Sequence, residues 1–117
     1  MERSAEQRAA NESRFREANE TLERKVVKLS IIDSRTPYLC ECDDPRCTAI
    51  IKLSVHEYEA VRSKPTQFVV TPGHDAEPDR VLEQHEGFDV IKKTGEEARL
   101  VEEQDPRSSA SGMQKLT

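Results

Sequence analysis

Tyr38-Leu39-Cys40-Glu41-Cys42-Asp43-Asp44-Pro45-Arg46-Cys47 is the stretch on which the reading of this chain turns. All three cysteines of the 117-residue sequence lie here, within eight consecutive positions. Asp-Asp-Pro between Cys42 and Cys47 is a turn signal, because Asp side chains hydrogen-bond the backbone just ahead of them and Pro presets φ. Pro37 to Cys42 reads as extended, and the β-branched run Thr48-Ala49-Ile50-Ile51-Lys52-Leu53 returns as a strand. Side chains alternate along an extended segment, so Cys40 and Cys42 share a face, with Cys47 on the same hairpin-like loop. Clustered thiols suit a soft metal ion. Zinc takes Cys and His in a tetrahedral shell that four protein ligands close in structural sites, so three cysteines leave one ligand to find.

The spacing Cys-x-Cys-x4-Cys differs from the paired Cys-x-x-Cys of zinc ribbons, so two other readings stay open: reduced thiols, and a disulfide or redox role. An odd count leaves one thiol over, and a bridge between Cys40 and Cys42 would strain an extended segment. Pairing of Cys40 or Cys42 with Cys47 would need an oxidising compartment.

His56, His74 and His85 are the imidazole candidates. His74 stands in Thr71-Pro72-Gly73-His74-Asp75, directly after the apolar run Phe68-Val69-Val70, on a rigid turn at a strand end. The expected metal set is therefore Cys40, Cys42, Cys47 and His74, with structural Zn2+ as cofactor and Asp75 or a carbonyl holding the other ring nitrogen. The competing view of His74 is a solvated turn histidine. His56, in the first turn of a helix, and His85, beside Glu86-Gly87, read as surface residues, and Asp43 and Asp44 as turn caps.

Hydrophobic residues make up 34% of the chain and charged residues 35%, without tryptophan, so the compact part must be small. A core of about 60 to 70 residues is near the size at which a metal staple aids stability. No apolar run approaches a membrane span, and the N-terminus is charged from Glu2 onward, so a cytoplasmic protein is expected. The net charge is -5, and nearly all of the acidity lies after residue 29.

Glu2 to Leu29 contains neither Gly nor Pro and reads as one long helix. Phe15, Ala18, Leu22, Val26 and Leu29 draw a narrow apolar stripe along it, with charged residues on the other faces. Glu12 with Arg16, and Glu20 with Arg24, stand four apart in the favourable order. Before Phe15 the stripe fades to alanines, so the first dozen residues are expected to fray or to await a partner. Ser30 to Thr36 is a connector with a short strand at Ile31-Ile32. Ser54-Val55-His56-Glu57 is a capping box opening a helix from Val55 to Ser63, with Val55, Tyr58 and Val61 inward. Gln67 to Thr71 is a strand, Arg80 to Gln84 and Phe88 to Lys92 form a hairpin, and Glu96 to Gln104 a further helix.

The expected fold class is thus α+β: a long N-terminal helix, then a small zinc-stapled antiparallel sheet or partial barrel with one short helix, and a disordered C-terminal tail. Its parts are 1–29, an amphipathic helix or arm, 30–104, a small metal-binding α+β domain, and 105–117, the tail. The expected core is Tyr38, Ile50, Leu53, Phe68, Val70, Val81, Phe88 and Val90.

Phe15-Arg16-Glu17-Ala18-Asn19-Glu20, Leu39-Cys40-Glu41-Cys42 with Cys47, Glu57-Tyr58-Glu59-Ala60-Val61-Arg62, Pro65, Phe68-Val69-Val70 and Pro72-Gly73-His74 together resemble an uncharacterised family of short bacterial proteins, over roughly residues 14 to 107. The resemblance implies that Cys40, Cys42, Cys47 and His74 act as one set. It brings no activity with it.

No glycine-rich phosphate loop, Gly-x-Ser-x-Gly elbow or His-Glu-x-x-His helix is present. An enzyme would need Cys40 or Cys47 as nucleophile with His74 as base, or an open shell with Glu41 as proton carrier. The favoured expectation is a non-catalytic structural-zinc module with an interaction or regulatory role, binding a protein partner through the N-terminal helix. Weak homodimerisation is left open. The alternatives are a thiol redox sensor and a nucleic-acid-associated protein using Arg3, Arg8, Arg14, Arg16, Arg24, Lys25 and Lys28, which six glutamates on the same helix oppose.

Overall fold

The computed structural model describes residues 4–29, 35–76 and 79–107. The expected strand at Ile31-Ile32 and most of the expected tail lie outside them. The elements run α1 (Ala5–Lys28), β1 (Thr36–Leu39), β2 (Ile50–Leu53), α2 (Val55–Arg62), β3 (Gln67–Val70), β4 (Arg80–His85), β5 (Phe88–Lys92) and α3 (Gly95–Glu103). The architecture is α+β as expected, with the strands in two antiparallel sheets, β1-β2 and β3-β5-β4, in place of one partial barrel. Glu41 bridges them, its N–H donating to the Val69 carbonyl at 2.8 Å. Capping boxes open two helices: Ser4 with Gln7 on α1, and Ser54 with Glu57 on α2 as the sequence predicts.

The face that α1 buries differs from the expected stripe. Ala9, Asn11, Glu12, Arg16, Asn19, Glu20, Glu23 and Val26 turn inward. Of the stripe only Val26 is buried; Phe15 and Leu22 are half-buried, Ala18 is exposed and Leu29 is 68% exposed. At 3.6 residues per turn the buried face lies about a quarter turn from the apolar one. The physical reason is that each inward polar residue makes a hydrogen bond or ion pair with a distant part of the chain, which a hydrophobicity pattern cannot register. Glu20 accepts from Arg62 Nε at 2.6 Å, and Arg62 also holds Asp105 at 2.7 and 3.1 Å. Arg16 donates to the carbonyls of Pro65 and Gln67 and lies over the Phe68 ring, 3.6 Å from its centroid. The expected pairs Glu12–Arg16 and Glu20–Arg24 give way to these longer-range ones; Arg24 donates instead to Thr21.

The start of α1 is no loose arm. Ala9 and Glu12 are fully buried, Arg8 pairs with Glu97 of α3 at 3.1 Å, and Lys93 reaches Glu12 at 2.5 Å. At the other end the folded body runs past the expected boundary at residue 104. Asp105 is buried, and Arg107 pairs with Glu59 at 2.5 Å and Glu20 at 3.1 Å.

Six of the eight expected core residues are buried, together with Tyr58 and Val61 of α2. Val55 is only half-buried. Ile50 is 52% exposed because Ile51 and Leu53 face inward and strand neighbours alternate. Val81 is exposed because β4 is an edge strand, hydrogen-bonded to β5 alone and open along its whole length. Tyr38 and Tyr58 stack with centroids 4.2 Å apart, joining β1 to α2. No helix among the described residues is long and apolar enough to cross a membrane.

Candidate metal centre

Cys40, Cys42, Cys47 and His74 lie together, with one ligand atom from each within 4.8 Å of all the others. Three pieces of backbone deliver them. Cys40 and Cys42 follow β1 on the extended segment, which Cys40 N–H pins to the Ala49 carbonyl at 3.1 Å and Glu41 N–H to Val69. Alternation puts both thiols on one side of it and the buried Glu41 carboxylate on the other.

The Asp-Asp-Pro turn then swings Cys47 back. Asp44 Oδ1 accepts from Arg46 N–H at 2.9 Å and its carbonyl from Cys47 N–H at 3.1 Å, the capping role expected of it. His74 arrives on the turn after β3, closed by His74 N–H to the Thr71 carbonyl at 2.9 Å. Gly73 has φ of 87°, a left-handed conformation that suits glycine, and its N–H points at Asp89 of β5, 3.4 Å away.

The facing atoms are the two cysteine sulfurs and His74 Nδ1: Cys40 Sγ lies 3.5 Å from it and Cys47 Sγ 3.7 Å. A tetrahedral zinc with bonds of about 2.3 Å to sulfur and 2.0–2.1 Å to nitrogen has ligand-to-ligand edges of about 3.5 to 3.8 Å. The observed separations match those edges. Cys40 and Cys42 are buried, Cys47 is half-buried and His74 exposed, so the cluster opens to the surface on one side.

All three thiols are free of disulfide bonds. The Cys40 thiol is held down to about 5, chiefly by a hydrogen bond from Cys42 and also by the Thr71 N–H, 3.2 Å from its sulfur. Cys42 is pushed up by the same bond, since it donates to Cys40, and by burial. The Thr71 N–H aimed at the Cys40 sulfur suits a thiolate, the form in which cysteine ligates a metal ion.

The other histidines stand apart from the cluster. His56 is exposed; His85 is exposed, stacks on Phe88 at 4.5 Å and pairs with Glu83 at 2.6 Å. Supporting residues that the sequence reading passed over are Asn11, whose amide donates to the Cys42 carbonyl at 3.3 Å, and Asn19, which clasps Leu39 through both its N–H and carbonyl at 2.8 and 3.0 Å. Two asparagines inside a run of strong helix formers were the available signal, because Asn competes with helix backbone and is kept there for a hydrogen bond elsewhere. No protein-family model, curated protein or solved structure matches the chain, so the chemistry of this cluster rests on its own geometry.

Proposed function

We propose that Cys40, Cys42, Cys47 and His74 bind one zinc ion as a structural staple, and that the chain is a small metal-stapled interaction module without catalytic activity. The observation that carries this reading is the convergence of three thiols and one imidazole from three separate pieces of backbone, with one ligand atom of each within 4.8 Å of all the others. The ion would tie the loop between the two strands of one sheet to the turn leaving the other. With four protein ligands the shell has no open position for water or substrate, which favours a structural role over a hydrolytic one.

The partner is proposed to be a protein that docks on the outer face of α1. That face is not the apolar stripe alone: Arg14, Ala18, Arg24, Lys25 and Lys28 are exposed on it, and Leu29 follows. Three of the helix's glutamates, Glu12, Glu20 and Glu23, turn inward, so the outer face is more basic than the sequence of α1 suggests.

Thermal unfolding with and without a strong chelator tests the staple. A drop in melting temperature on chelation, reversed by added zinc, is expected. An unchanged curve for protein shown to carry no metal would leave three plain thiols and refute the structural role.

A further inference from the structure

Glu41 lies between two of the proposed ligands, and its side chain is fully buried on the opposite side of the segment. Its carboxylate accepts from the Tyr58 hydroxyl of α2 at 2.5 Å, the Asn19 amide of α1 at 3.0 Å and Val69 N–H of β3 at 3.2 Å. Its own N–H donates to the Val69 carbonyl. One residue is thus tied to three elements from separate parts of the chain. A buried carboxylate is unfavourable unless hydrogen bonds and charge compensate it, and Arg16, fully buried nearby, supplies a cation that interacts with it.

Turning Cys40 and Cys42 away from His74 would require the segment to rotate about its own axis. Glu41 resists that rotation on the side facing the core, as Asn19 does at Leu39 and Asn11 at Cys42. Glu41 differs from both because it alone reaches α1, α2 and β3 together.

We propose that Glu41 is the positioning residue of the metal centre: it fixes the rotation of the Cys40–Cys42 segment so that both thiols face the ion, and it couples metal loading to the docking of α1 and α2. The inference rests on the metal reading above and goes beyond it by naming what sets the site's affinity. Coupling is reciprocal, so a residue that strengthens metal binding is itself held more firmly once metal is bound.

The test uses the full chain. Zinc affinity is measured by competition with a chromophoric chelator for wild type, Glu41→Gln, Tyr58→Phe and the control Arg107→Ala, which weakens the Glu20 and Glu59 pairs away from the segment. Gln keeps the shape of Glu41 but places an NH2 against a donor, either Val69 N–H or the Asn19 amide. Glu41→Gln is expected to weaken zinc binding about 10- to 100-fold, as loss of a residue supporting a metal ligand does. Tyr58→Phe should weaken it less, and Arg107→Ala should leave it unchanged even where its melting temperature falls as far. Zinc should also slow amide exchange at Leu39 and Val69 in wild type, and do so less in Glu41→Gln.

Wild-type zinc affinity in a folded Glu41→Gln protein overturns the proposal, as does an equal loss in Arg107→Ala, which would reduce the effect to general destabilisation. If Glu41→Gln does not fold, undiminished affinity in Tyr58→Phe overturns it. Failure of the wild-type chain itself to bind zinc is a separate result, which removes the metal reading and this inference with it.

Discussion

The ammonium of Lys93 lies 2.5 Å from the Glu12 carboxyl group, and both side chains are at most 1% exposed. Asp79 at 2.9 Å and Glu97 at 3.3 Å complete a buried cluster of three carboxyl groups around one cation, which fastens the first half of α1 to the end of β5 and to α3. Breaking a buried pair by removing one partner typically costs about 3–5 kcal/mol, because the remaining charge is left without compensation. Lys93→Met should therefore destabilise the fold by about that amount in denaturant unfolding. Deletion of residues 1 to 12 should be destabilising too, since it removes Glu12. A truncated chain as stable as the full one would return the first dozen residues to the status of a free arm.

The same cluster predicts a pH dependence. Burial, followed by a hydrogen bond with Glu97, pushes the Glu12 carboxyl from 4.5 up to about 9, while Glu97, held also by Arg8 and Lys93, is lowered. The unfolded chain releases the Glu12 proton near 4.5 and the folded chain retains it to about 9. This group's contribution is thus fully present below 4.5 and is lost as pH rises toward 9. The slope is at most about 1.4 kcal/mol per pH unit for one proton. Glu23, raised to about 7 mainly by burial, adds a decline of the same sign that ends sooner. Glu12→Gln should flatten the fall in unfolding free energy between pH 7 and 9. Parallel wild-type and variant curves over that range would contradict the assignment.

Arg62 has a fully buried side chain held by Glu20 and by both oxygens of Asp105. A chain ending at Gln104 lacks Asp105 and Arg107, and it should lose about 3 kcal/mol or more of stability, measured by urea unfolding. Unchanged stability would restore the boundary that composition alone suggested.

Cys42 is 2% exposed and His74 sits at the open rim, so the two proposed ligands should respond differently to replacement. Cys42→Ser should lose the ion and lower the melting temperature markedly. His74→Ala should weaken zinc by more than the roughly 10- to 100-fold typical of a supporting residue, yet leave three thiolates able to hold some metal. Wild-type affinity in His74→Ala would place the fourth ligand elsewhere.

Much of this molecule was legible in its sequence. Turn chemistry at Asp43-Asp44-Pro45 and Pro72-Gly73, the Ser54–Glu57 capping box and the β-branched runs located the elements to within a few residues, and they brought Cys40, Cys42, Cys47 and His74 together. The orientation of α1 was not legible, because an apolar stripe marks the buried face only when the core beneath it is apolar. Here Arg16, Asn19 and Glu20 go inside, where they bond Pro65, Leu39 and Arg62 respectively, partners 20 or more residues away in sequence. Ile50 failed for a simpler reason: it cannot share a face with Leu53 three residues later on one strand. Glu41 entered the sequence reading only as the proton carrier of an open metal shell, and the tertiary structure shows instead that it joins three elements.

The central claim is that four residues form one metal site, and native mass spectrometry of the untagged protein, with elemental analysis of the same sample, tests it most directly. One zinc per chain is expected, lost on acidification and absent from a Cys42→Ser protein. A metal-free chain with three titratable thiols that remains folded and takes up no added zinc would contradict it.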